Sequence, residues 1–358
     1  MWSRRAALAL GGAFVLGPVT ARAQTARDGA DTDRAADPGP GASTATDGAL
    51  PSFLPTAVID AAFDMTSRPG MIDMLRARQV GCVFRYYAYK DQPERGLPNK
   101  VLRASEARAL WDAGISIGAV FQYNNDRIES ITPERGRADA EFALDHAQTV
   151  IGQPKDTAIY FGVDGSWSGA DQMRGVLDYF TAVQSVFAAR GAPYRVGAYG
   201  SGTVLGALLD RGLIELAWLA LSRGWPGSRA FYNGDRWNLF QFSHHLAFGQ
   251  NIVDGNVVNP NRTDIGAFYR TAPAPVLDFG TAFLLKDQFW FSNARRVPIY
   301  DAPRAGARKV ADMTLAYNPI VLTSTDGWHA VSLDGTDRLA GYVQDKFLVP
   351  SGTMPAYR

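Results

Sequence analysis

Three aspartates stand at the ends of apolar runs in this chain. Asp64 closes VIDAAFD, Asp164 closes AIYFGVD, and Asp254 sits at the start of VDGNVV. Between them, at comparable places in similar runs, lie Arg85, Tyr86, Gln122, Tyr199, Trp218 and Gln241. Carboxylates brought together can act as a general acid and base, or accept hydrogen bonds from hydroxyl groups. Aromatic rings beside them offer flat faces for the apolar side of a pyranose, so the set suits a sugar. Taken singly, each residue has an ordinary structural role, such as capping a turn or filling a core. The repetition at run ends is what carries the functional reading.

The elements that must position these residues alternate in period. Apolar runs of four to eight residues bounded by turn formers read as strands buried on both faces. They fall at Val58–Met65, Val83–Tyr89, Ile117–Asn124, Ala158–Gly165, Tyr194–Ser201, Ala217–Ser222, Asn238–Ser243 and Val253–Val258. Helical spacing separates the earlier ones, over Ser105–Ala113, over Asp139–Ile151 with Gly152 as its stop, and from Met173 to Phe187 ahead of Gly191. Alternating strand and helix predicts parallel pairing with right-handed crossovers. The fold expected is α/β, a modified (β/α)8 barrel, with its helices incomplete near the end because the last gaps are short and polar. Such barrels carry their chemistry at the C-terminal strand ends, which would gather Asp64, Asp164 and Asp254 in one cleft. A doubly wound open sheet is the alternative, and no Gly-rich phosphate loop supports it.

Composition narrows the partners. The formal net charge of +1 over 358 residues gives no electrostatic case for nucleic acid. The single cysteine, Cys82, lies in an apolar run and reads as a buried thiol. The four histidines lack metal-ligand spacing, so no cofactor or metal is called for, although aspartates at a barrel mouth could hold a divalent cation. Ser201 lacks the flanking register of a nucleophile elbow.

Residues 1–23 read as an export signal. Arg4 and Arg5 precede a short apolar run, and Ala21-Arg22-Ala23 has the form of a cleavage site. The paired arginines match a twin-arginine signal, with an ordinary secretory signal as the alternative. This places the chain in the periplasm or outside the cell, and not as an integral membrane protein. Residues 24–52 hold almost nothing to bury and read as a disordered tether.

The motifs FRYY, AVFQYN, IYFGVD, YRVGAYGS, AWLA, LFQFS and VDGN, in this order, resemble a family of exported bacterial glycoside-hydrolase-like domains of unknown function. That family is related to the family-25 lysozymes, which cleave the glycan of peptidoglycan. The resemblance covers about Thr56 to Tyr269 and implies a barrel over 56–270 acting on, or binding, peptidoglycan or another polysaccharide. It matches Asp64 to the acid of the first strand, Asp164 to the first member of the lysozymes' Asp-x-Glu, and Asp254 to the acid near the last strand. The Glu of that pair is Ser166 here, and a serine hydroxyl is no general acid at neutral pH. Asp164 or Asp126 would have to serve, or the scaffold binds glycan without cutting it.

After a Pro-punctuated linker over 271–288, short alternating runs read as a small all-β unit over 289–351. Gly327-Trp328, Gly341-Tyr342-Val343 and Leu348 resemble a bacterial SH3-like domain. Such domains often bind cell-wall peptide or glycan; the plainer expectation is a unit that only packs on the barrel.

Overall fold

The computed structural model describes residues 58–274, 289–315 and 317–356. The export signal, the tether and most of the linker lie outside the described residues.

Eight strands close a barrel in the order of the chain: β1 (Val58–Asp60), β2 (Cys82–Tyr87), β3 (Ser116–Phe121), β4 (Ala158–Gly162), β5 (Arg195–Gly200), β6 (Leu216–Leu219), β7 (Leu239–Phe248) and β8 (Asn251–Val258). The helices are α1 (Met71–Ala77), α2 (Ala104–Asp112), α3 (Pro133–Asp145), α4 (Ala170–Ala189), α5 (Gly202–Asp210) and α6 (Ser228–Asn233). A π-helical turn, His146–Ile151, extends α3. Thr132 caps α3 by accepting the amide hydrogen of Arg135, and Pro133 takes the first position, where a missing N–H costs nothing.

β1 to β7 pair in parallel, as the alternation predicts. The last strand departs from that expectation. β8 runs antiparallel to both β7 and β1. Only Gly249 and Gln250 separate β7 from β8, and a parallel return needs a dozen or more residues, so a hairpin is the only connection available. β1 is also shorter than its apolar run. The strand stops at Asp60, and Asp64 instead caps a 3-10 turn at Met65–Ser67.

Strand period two divides the side chains. Inside the barrel Val58, Phe84, Tyr86, Val120, Tyr160, Tyr199, Leu216, Trp218 and Leu239 form one cluster. Its rings meet edge-on, with Phe84 and Tyr160 centroids 5.4 Å apart and Tyr199 and Trp218 5.0 Å apart. Gly197 makes room for this, since a Cβ there would lie 2.6 Å from the Tyr160 ring. The residues between face the helices and build the larger outer core.

The C-terminal part holds β9 (Trp290–Ser292), β10 (Arg296–Tyr300), β11 (Lys309–Thr314), β12 (Ile320–Thr325), β13 (Trp328–Ser332), β14 (Gly341–Gln344) and β15 (Leu348–Pro350). Five of them form an antiparallel sheet in the order β11-β10-β14-β13-β12, and β15 pairs with β9. Its own core is small: Val297, Ile299, Met313, Val331, Val343 and Leu348. Phe289, Phe291, Ile320 and Met354 instead join the outer core of the barrel.

Candidate functional site

The interior residues at the C-terminal ends of the strands form a polar layer above the aromatic plug. Asp60, at the end of β1, is 1% exposed and is directly paired across the ladder with Asp254 of β8. Its carboxylate accepts hydrogen bonds from Tyr86 Oη at 2.8 Å, Asn256 Nδ2 at 3.0 Å and Gln241 Nε2 at 3.4 Å. The same Gln241 Nε2 donates to Asp254 Oδ2 at 2.7 Å, while Tyr199 Oη donates to Gln241 Oε1 at 3.0 Å. Trp218 Nε1 donates to Asn256 Oδ1 at 2.8 Å. One nitrogen touching both acids holds an Asp60 oxygen and an Asp254 oxygen no more than about 6 Å apart.

A second group stands on β3 and β4. Gln122 Nε2 donates to Asp164 Oδ2 at 3.2 Å. Lys100, 3% exposed, donates from Nζ to the Gln122 backbone oxygen at 2.8 Å and to its Oε1 at 3.2 Å. The same ammonium lies 4.9 Å from the Tyr86 ring centroid, which joins this group to the first. The backbone N–H of Asp164 donates to Asn125 O at 3.0 Å, pinning the loop after β4. Asp164, Gln122 and Asp254 keep 6 to 8% exposure, more than the 1% of Asp60.

Of the sequence-derived candidates, Tyr86, Tyr199, Trp218, Gln241 and Asp254 fall in one hydrogen-bonded network, and Gln122 and Asp164 in the adjoining pair. Asp64 instead caps the 3-10 turn that follows β1. Its carboxylate accepts from Thr66 N at 2.7 Å and from Thr66 Oγ1 at 2.6 Å. Arg85 points outward, as an odd residue of β2 must when Phe84 and Tyr86 point in. It is wholly buried against α2, with Nε 2.6 Å and Nη2 3.0 Å from the two oxygens of Glu106. Burial raises the Glu106 carboxyl above its ordinary range, opposed by the Arg85 charge. Ser166 follows β4 in a loop and is half-buried.

Sequence reasoning missed three residues. Asp60 was hidden inside a run read as one longer strand, although its even register with Val58 marks an interior position. Asn256 shares the interior register of Asp254, and that spacing is the signal that would have found it. Lys100 lies in a polar connection without periodicity, and no sequence signal marks it. Among the described residues no group of three or more His, Cys, Asp and Glu side chains is arranged to hold a metal ion. No helix among them is long and apolar enough to cross a membrane.

A closed eight-stranded barrel hosts many chemistries, so the class of this one rests on its family. Residues 73–258, more than half of the chain, match the family described as Rv2525c-like, glycoside hydrolase-like domain, and the chain belongs to that family. Among individual relatives, the uncharacterized protein FadG of Bacillus subtilis is 24% identical over 147 residues, 40% of this chain and 25% of FadG. The chain thus spans about a quarter of that relative's length. The Tat-secreted protein Rv2525c of Mycobacterium tuberculosis, solved in complex with L-tartrate, is 20% identical with a TM-score of 0.48, covering 59% of this chain and 98% of Rv2525c. The catalytic domain of endolysin Ply40, from bacteriophage P40 of Listeria monocytogenes, is 14% identical with a TM-score of 0.36, covering 57% and 93%.

Proposed function

We propose that this chain is exported and binds cell-wall peptidoglycan, or a related polysaccharide, at the C-terminal mouth of its barrel, with little or no hydrolysis of it. The observation that carries this reading is that Asp164 and Asp254 are each tied to a neutral amide, Gln122 and Gln241. Such carboxylate–amide pairs offer acceptors and donors in fixed directions, the inventory that recognises sugar hydroxyls. Hydrolysis needs in addition a carboxyl poised to protonate a leaving oxygen, a contribution of about a hundredfold to ten-thousandfold in rate. Ser166 occupies the place where the lysozyme pattern has that acid. The Asp60–Asp254 pair favours hydrolysis as the second reading, because the two carboxylates are neighbours. Asp60, however, is buried beneath Tyr86, Asn256 and Gln241 and has three donors on it.

The test uses purified peptidoglycan with the wild type, Asp164→Asn, Asp254→Asn and Ser166→Glu. Expected are co-sedimentation of the wild type with the wall, weakened in both Asn variants, and no release of reducing ends. Reducing ends released by the wild type and lost in Asp254→Asn would establish the hydrolase instead. Failure of the wild type to bind any wall preparation would overturn both readings.

A further inference from the structure

The connection from β2 to α2 leaves the barrel at Tyr87 and returns alongside it. Leu102 N donates to Tyr86 O at 2.8 Å, and Val101 forms a parallel bridge with Tyr86, which brings Lys100 beside the end of β2. Asp91 closes the excursion on itself by accepting from Val101 N at 2.8 Å and pairing with Arg103. The outer part is fastened to the segment after β3. Gln92 Nε2 and Arg95 Nη1 both donate to Asn124 Oδ1, at 3.0 and 2.7 Å, and Arg95 Nη2 donates to Asp126 Oδ2 at 3.0 Å. Asn124 has a left-handed backbone, φ 60°, which asparagine adopts more readily than most residues. Asp126, which the sequence offers as an acid in place of Ser166, is therefore a fastening for this connection. The connection is held at both ends before any ligand arrives.

We propose that Lys100, carried by this connection, is a positioning residue for the ligand site: it holds the Gln122 amide against Asp164. An ammonium donates and cannot accept. At 3% exposure it needs acceptors, because a charge taken out of water without them is strongly disfavoured. Nζ meets two on a single residue, the Gln122 backbone oxygen at 2.8 Å and its Oε1 at 3.2 Å. The other end of the same amide donates from Nε2 to Asp164 Oδ2 at 3.2 Å. Gln122 is thus stretched between a cation and a carboxylate, each fixing one end. Asp164 alone would hold only the nitrogen, leaving a buried oxygen without its donor and a side chain free to swing away. The Tyr86 ring, with its centroid 4.9 Å from Nζ, further favours the cation at this place. The effect on a ligand rests on the function proposed above; the fixing of Gln122 does not.

The test compares the full chain as wild type, Lys100→Met, Lys100→Arg, Gln122→Leu and the double variant Lys100→Met with Gln122→Leu, each with its melting temperature checked. Two quantities are read: sedimentation with purified peptidoglycan, and the nuclear magnetic resonance signal of the Gln122 side-chain NH2, identified by its absence in Gln122→Leu. Lys100→Met, of similar length but without a donor, should shift that signal and weaken wall binding about tenfold or more, the scale of a hydrogen bond to a charged group. Lys100→Arg keeps a cationic donor and should recover part of both. The double variant should bind no worse than Gln122→Leu, because the lysine acts through the amide. An unmoved signal, a full further loss in the double variant, or wild-type binding by a folded Lys100→Met overturns the proposal. If the wild type binds no wall, the function proposed above falls and the signal alone decides the role of Lys100. Should Lys100→Met fail to fold, exchange of the Lys100 ammonium protons with water decides instead: it should quicken in Gln122→Leu, and unchanged exchange overturns the proposal.

Discussion

At the scale of single residues, the parity of a strand decides which side chain does chemistry and which holds the fold. Arg85 and Tyr86 are adjacent in sequence, yet one is locked against α2 and the other supports Asp60. The sequence offered both as ligand contacts because a lone run shows no outside; only the ring of strands does. The Arg85–Glu106 pair is fully buried on both sides. Glu106→Gln should therefore leave a buried guanidinium poorly matched and cost about 3–5 kcal/mol, the usual cost of breaking such a pair. Urea denaturation measures this, and a loss below about 1 kcal/mol would mean that solvent already reaches the pair. A pH effect belongs to His245, whose imidazole is stacked on Tyr317 at 4.5 Å and whose pKa burial lowers below its ordinary value. Between the folded value and the unfolded value near about 6.5, the unfolded chain binds a proton that the folded chain refuses. The contribution of His245 to stability is thus full above about pH 6.5 and is lost as pH falls through the lower folded value. The drop in melting temperature from about pH 7.5 to about pH 5.5 should be smaller in His245→Gln than in wild type. An unchanged drop would assign the effect to other groups.

At the scale of elements, alternation of period two with helical spacing made the order of strands and the barrel legible. What it hid were strand ends and direction. β1 stops four residues before Asp64 because the chain turns into the 3-10 segment that Asp64 caps, and hydrophobicity carries no mark of that turn. The reversal of β8 follows from a two-residue connection that pattern reading passed over. α3 and α4 approach so closely that a Cβ on Gly136 would lie 2.4 Å from the Tyr179 carbonyl oxygen. Helix propensity alone favours Gly136→Ala by about 1 kcal/mol. The clash is with backbone, which cannot swing aside, so the substitution should lower the melting temperature by several degrees. A rise would show that the two helices separate freely. Asp139, which accepts from Tyr179 Oη at 2.8 Å, would report the shift through the ultraviolet spectrum of that phenol.

At the scale of the whole molecule, the boundary drawn from sequence separates a barrel from an appended module, and the packing crosses it. Phe289 and Phe291 lie 6.0 Å from Phe240 of β7 by ring centroid, and Phe291 lies 5.3 Å from Tyr232 of α6. Tyr232 Oη donates to Ser351 O at 2.6 Å, and Asn318 Nδ2 donates to Phe242 O at 2.6 Å. Deleting Asp287–Arg358 should uncover Phe240, Phe242 and Tyr232, each buried in the intact chain. Truncating one large buried aromatic typically costs about 3–5 kcal/mol, and the deletion removes the buried Phe289 and Phe291 together. The truncated barrel should therefore melt well below the full chain and bind hydrophobic dye; a single unfolding transition at the wild-type temperature would restore the view of two independent units. The seam also bears on how such a chain changes over generations. Gln241 and Asp254 stand on the same hairpin whose outer reach carries the C-terminal part, where Ala247 donates its N–H to Asp334 O. Exchanging that part for another module by recombination would expose the aromatic seam and unsettle the strand pair that holds an acid in place. The two halves are thus bound to drift together, each substitution at the seam constraining the next.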